Sequence, residues 1–128
     1  MKYLLDTHAL LWWWSDDPRL SAVAREVIGN EGNVVLVSAA SAWEIATKHR
    51  IGKLPGAEEL LVRFHDLVLA DGFEHLPMSH LHALRAGSSA AVHRDPFDRM
   101  LAAQAQLEGA VLISADEALK AFPITLLW

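Results

Sequence analysis

Apolar residues in this chain come in blocks, and the blocks follow two periods. Five short runs read as strands: "KYLL" (2–5), "VVLV" (34–37), "FEHLP" (73–77), "AVLIS" (110–114) and "ITLL" (124–127). Several of them lack polar alternation, as expected for strands covered on both faces. The intervening stretches carry helical signals. "THALLWWW" follows the first run. The segment "SDDPRLSAVAREVIG" gives turn residues and then Leu20, Val23, Ala24, Val27 and Ile28 on one helical stripe. Ser38 or Ser41 is placed to cap the helix containing "AWEIATKHRIG". A helix runs from Pro55–Gly56 to Gly72, another starts near Ser79, and "DEALKAF" reads as a short helix. In "PFDRMLAAQAQLEG", Pro96 suits the first helical position, Asp95 the N-cap and Gly109 the exit.

Strands alternating with helices predict a single α/β domain over residues 1–128. Its architecture is three-layer α/β/α with a mainly parallel central sheet. Strand order is not readable from the pattern. No linker, repeat or low-complexity tract interrupts it.

Composition narrows the chemistry. There are 128 residues, 52% of them apolar, so a sizeable core is available. Acids outnumber bases 16 to 11, for a net charge of -5. No broad basic surface is advertised, although a local patch or a bound cation can offset the acids. Cysteine is absent, which removes disulfides, thiolate catalysis and thiolate zinc sites. The N-terminal stretch lacks the small-residue cleavage site of a secretory peptide, and no run is long enough to span a membrane. The expected location is the cytoplasm. Trp12, Trp13 and Trp14 are adjacent, so one helix cannot aim all three rings at one core. At least one must meet a second surface.

Four acids fall where α/β sheets gather ligands, beyond the carboxyl ends of strands. Asp6 follows the first strand and Asp116 follows "AVLIS". Glu44 lies about two turns into the helix after "VVLV", and Asp98 in the first turn of the helix that feeds "AVLIS". Each also has a structural alternative. Asp6 could bond the turn after its strand, and Glu44 could pair with Lys48 at i,i+4. Asp98 suits a helix N-terminus, and Asp116 could cap "EALKAF". If all four converge, their mutual repulsion calls for a hard divalent cation, Mg²⁺ or Mn²⁺. His8, His49, His75, His80, His82 and His93 show no zinc spacing. No HExxH, GxSxG or glycine-rich phosphate loop is present.

The motifs "YLLDTHALLWW", "SAASAWEIATKHRIGKL", "HRDPFDRMLAAQAQLEG" and "AVLISADEAL", in this order, resemble those of the PIN domains, and more narrowly the VapC-type toxins of bacterial toxin–antitoxin pairs. The resemblance covers nearly the whole chain. It implies a metal-dependent ribonuclease with Asp6, Glu44, Asp98 and Asp116 as catalytic metal ligands, Asp116 being the most variable in role. It implies a supporting hydroxyl at Ser114. Candidates for RNA phosphate contact are Lys48, Arg50, Lys53, Arg94 and Arg99, and Arg99 is open to a second role, pairing with an acid to support the site. An antitoxin partner is implied as well, seated in a groove formed by Trp12, Trp13 and Trp14 with the next helix. A homodimer is expected. Two readings compete: a phosphohydrolase acting on other phosphate esters, and a non-catalytic module binding RNA or protein.

Overall fold

A computed structural model describes residues 1–128. Five strands, β1 (Lys2–Leu5), β2 (Val34–Ser38), β3 (Glu74–Leu76), β4 (Val111–Ile113) and β5 (Leu126–Leu127), form one sheet in the order β3-β2-β1-β4-β5. Every pairing is parallel. The chain builds outward from β1 to β3 and then crosses to the other side of β1 for β4. That reversal opens a crevice at the carboxyl ends of β1 and β4, the usual ligand position in such sheets.

Period-two alternation sorts each strand's side chains between two cores. Tyr3, Leu5, Val35, Val37 and Ile113 face one layer, where they pack with Ala9, Leu10, Ala24, Ile28, Ile45 and Val68. Those partners come from α1 (Thr7–Trp14), α2 (Ala22–Gly29), α3 (Ala39–Arg50) and α5 (Phe64–Ala70). Leu4, Leu36, Leu76 and Leu112 face the other layer and pack on Leu101, Ala102 and Ala105 of α7 (Pro96–Glu108). The small α7 residues let that helix lie close to the sheet.

Local chemistry sets the helix boundaries. Ser21, Ser38 and Ser79 each accept a backbone N–H at the start of a helix, Ser79 within a reciprocal capping box before α6 (His80–Ser88). Asp95 accepts from the N–H groups of Phe97 and Asp98, and Gly109 leaves α7 with φ 64°, a left-handed exit that favours glycine. The expected single helix over 55–72 is instead two, α4 (Glu58–Val62) and α5, with Arg63 between them at φ -97° and ψ 8°. This break turns Leu60, Leu61 and Phe64 onto the same core. "DEALKAF" forms a short 3₁₀ helix, Glu117–Ala121, rather than an α-helix.

One buried polar chain crosses between layers. Gln104 is fully buried, accepts from Ser38 Oγ and donates to the Pro77 carbonyl at 3.3 Å. Beside it His82 Nδ1 accepts from the Ser79 N–H, and Nε2 donates to Glu108 at 3.0 Å. Full pairing is what makes burial of these groups tolerable.

Leu112 is fully buried in the central part of the sheet. Leu112→Ala should therefore lower stability by about 2–5 kcal/mol, read as a lower urea midpoint at unchanged m. A loss below 1 kcal/mol, on the scale of a surface substitution, would contradict this packing.

Candidate metal centre at the carboxyl rim

The β1–β4 register builds the floor of the site. The Asp6 N–H donates to the Ile113 carbonyl at 3.1 Å, so the residues after the two strands start side by side. Asp6 is almost wholly buried and caps α1, with Oδ1 accepting the Ala9 N–H at 2.7 Å. Burial pushes its carboxyl up to about 6. The Ser114 hydroxyl, the Ala9 N–H and the charge of His8 pull it back, while the nearby Asp98 charge pushes it further up. Ser114 is buried and accepts the Asp116 N–H at 3.0 Å. It thus sets the turn that brings Asp116 forward.

Asp98 enters from the first turn of α7. Its Oδ2 lies 2.9 Å from His93 Nε2. Burial raises its pKa, the His93 hydrogen bond opposes the rise, and the charges of Asp95 and Glu44 add to it. Ligand atoms of His93, Asp98 and Asp116 all lie within 4.8 Å of one another. Asp116 also caps the 3₁₀ helix by accepting the Ala118 N–H at 2.9 Å. Glu44, on the buried side of α3, is paired with Lys48 one turn on. Thus the i,i+4 alternative for Glu44 is realised, but on a buried carboxylate rather than at the surface.

The four expected acids share one rim without forming one tight cluster. Asp98 and Asp116 come together with His93; Asp6 and Glu44 stand outside that triad, Glu44's charge acting on Asp98 and Asp98's on Asp6. His93 was not among the sequence candidates. It lies in a loop five residues before Asp98, with no periodic pattern to place it.

Arg99 holds that loop. Its Nε donates to the Ala86 carbonyl at 2.9 Å, Nη1 to those of Ala91 and His93 at 3.0 and 2.8 Å, and Nη2 to that of Ser89 at 2.8 Å. The guanidinium therefore addresses neither phosphate nor acid; it binds the segment that carries His93. Of the other cations, Arg50, Lys53 and Arg94 are exposed and Lys48 is partly so.

Along α1, His8, Leu11, Trp12 and Trp14 line a cleft of about 610 Å³, faced by Lys48, Lys53 and the Leu54–Leu60 region. The tryptophans divide their roles. Trp12 stacks on His8 and carries the Arg19 guanidinium 4.9 Å from its ring centre. Trp13 turns away to Phe73. Trp14 meets Phe64 edge-on, and both Trp13 and Trp14 donate to Asp71. The cleft wall opposite α1 is thus α3 and the segment after it; no α2 residue lines it.

The chain matches the PIN domain family model over residues 3–124 and belongs to that family. It is 38% identical over 76 residues to Ribonuclease VapC16 of Mycobacterium tuberculosis, an alignment spanning 56% of this chain and 54% of that relative. The chain thus matches about half the length of this curated relative. Among solved structures, VapBC2 from Rickettsia felis, bound to a DNA fragment from its promoter, superposes with a TM-score of 0.73 at 18% identity, covering 100% of this chain and 99% of that one. VapBC-1 from nontypeable Haemophilus influenzae gives 0.69 at 17% identity, with 99% and 97% covered. At such identities these likenesses speak to the fold.

Two measurements follow from the geometry. Asp6 binds its proton more tightly folded than unfolded, so its contribution to stability is full below about pH 4 and is lost as pH rises through about 6. In metal-free protein, stability relative to Asp6→Asn should fall by about 2 kcal/mol between pH 4 and 7, measured by urea unfolding across that range. A pH-independent difference would refute the raised pKa. Separately, Arg99→Lys cannot reach four carbonyls from one ammonium. Amide exchange at residues 86–93 should rise selectively, and unchanged protection there would contradict the clamp.

Proposed function

We propose that this chain is a divalent-metal-dependent endoribonuclease that acts as the toxin of a type II toxin–antitoxin pair. The observation that carries the proposal is the rim itself: Asp6, Glu44, Asp98 and Asp116 reach it from four separate elements of a PIN-family sheet. Acids held together by a fold at a cost in repulsion suit a cation. The donor set, mainly carboxylate oxygen, fits Mg²⁺ or Mn²⁺. The raised pKa values of Asp6 and Asp98 have the physical cause that such a cation relieves: buried negative charge without enough positive charge beside it.

Asp98 and Asp116 are the residues that would hold the ion directly, with Asp6 completing the site from β1. Glu44, braced by Lys48, faces Asp98 and orients water or a further ligand. A bound divalent ion supplies activation of water and neutralisation of phosphate charge. Hydrolysis by water breaks the phosphorus–O3′ bond and leaves a 3′-hydroxyl and a 5′-phosphate, with no part for the RNA 2′-hydroxyl. Ser114 fixes the turn that leads into Asp116. Exposed Arg50, Lys53 and Arg94 are available to RNA phosphates. The aromatic cleft beside α1, walled by Trp12 and Trp14, suits an apolar antitoxin segment, as aromatic anchors commonly do. A homodimer in the cytoplasm completes this reading.

The test is cleavage of total cellular RNA by antitoxin-free protein, wild type against Asp98→Asn, with Mg²⁺, Mn²⁺ or chelator. Discrete 5′-phosphorylated products should require metal. They should fall more than about 100-fold in the variant, because even residues one shell beyond a metal's ligands can cost that much. Equal cleavage by the variant, or cleavage in chelator, would overturn the proposal.

A further inference from the structure

We infer that His93 is a nitrogen ligand of the ion held by Asp98 and Asp116, and that it biases this site towards Mn²⁺ over Mg²⁺. This inference rests on the metal-site reading above and goes beyond its four acids.

Three observations carry it. The first is distance. His93 Nε2 and Asp98 Oδ2 are 2.9 Å apart. Neighbouring ligands of an octahedral ion lie about 3 Å apart when the bonds are about 2.1 Å. Replacing the shared proton by a cation therefore asks for little movement, and one ligand atom each of His93, Asp98 and Asp116 already lies within 4.8 Å of the others.

The second is constraint. A ligand on a free loop loses much of its binding energy to ordering. His93 is not on a free loop. Arg99 grips its carbonyl and those of Ala86, Ser89 and Ala91, and Arg99 is the neighbour of Asp98 in the first turn of α7. One helix end thus positions both donors, Asp98 directly and His93 through its loop. The ring is also packed edge-on against Phe122, centroids 5.8 Å apart. Its side chain is only 18% exposed.

The third is free donor capacity. Asp98 makes a side-chain hydrogen bond only through Oδ2, to this imidazole, and Asp116 only through Oδ1, to the Ala118 N–H. One oxygen on each carboxylate remains for an ion. A neutral imidazole offers its Nε2 lone pair to the same ion.

The consequence is selectivity. Mg²⁺ is hard, keeps its waters and favours oxygen, whereas imidazole nitrogen suits first-row transition ions better. An all-carboxylate rim does little to separate Mg²⁺ from Mn²⁺; one nitrogen does.

Electron-spin-echo spectroscopy of Mn²⁺ bound to the intact protein tests the idea without reference to activity. Wild type should show ¹⁴N coupling from a directly bound imidazole. His93→Gln, and His93→Phe, which keeps a ring against Phe122, should lose it. Both should lower the Mn²⁺-over-Mg²⁺ preference about tenfold or more in competition titrations. Two other nitrogen sources need matched controls. His8 lies near Asp6, and His65 Nδ1 and His75 Nε2 are 3.0 Å apart on the surface. The coupling should persist in His8→Gln and in His65→Gln. Mn²⁺ bound in an Asp98-dependent manner, with coupling and selectivity unchanged by either His93 variant, would overturn the role of His93 alone. No Asp98-dependent Mn²⁺ binding would overturn the metal-site reading as well.

Discussion

Everything at the rim hangs on the pairing of β1 with β4. These strands are far apart in sequence, and their parallel register puts Leu5 beside Ile113. The hydrogen bond from Asp6 N–H to the Ile113 carbonyl then closes the ladder. From that point the two chains must part, and the first residues beyond it are Asp6 on one side and Ser114 on the other. The sheet therefore supplies a polar crevice where the β1–β4 ladder ends.

Into that crevice the fold sends more negative charge than it neutralises. Lys48 answers Glu44, and the His93 ring answers part of Asp98. Asp6 has only neutral hydrogen-bond donors and the charge of His8. Burial strengthens each repulsion because water no longer screens it. A fold that selected only for stability would place apolar groups here. The acids are instead held by devices that also serve the architecture: Asp6 caps α1, Asp95 caps α7 just ahead of Asp98, and Asp116 caps the 3₁₀ helix. Structural and chemical roles coincide in the same carboxylates, so the one does not argue against the other.

Arg99 shows a related economy. As a lone cation next to Asp98 in sequence it reads as a partner for phosphate or acid. In the fold it satisfies the Ala86 carbonyl near the end of α6 and three carbonyls of the irregular segment that follows. Unpaired backbone carbonyls in a half-buried loop are costly, and one planar fork settles them together. The adjacent tryptophans also divide their roles: Asp71 accepts from Trp13 and Trp14, while Trp12 and Trp14 line the cleft.

The sequence determined the layer architecture, because unbroken apolar runs and helical stripes differ in period and each demands its own kind of cover. It determined most helix starts, since Ser38, Ser79, Asp95 and Pro96 act within a few residues of themselves. It also placed Asp6, Asp98 and Asp116 near strand ends or helix beginnings, and Glu44 inside the helix after β2. Tertiary structure decided the strand order, because parallel strands carry no local mark of their neighbours. It decided the break at Arg63, where packing of Leu61 and Phe64 overrides a continuous helical pattern. It decided which acids touch and that His93 joins Asp98 and Asp116, because a loop residue's position is fixed by the carbonyls Arg99 holds and not by any period of its own.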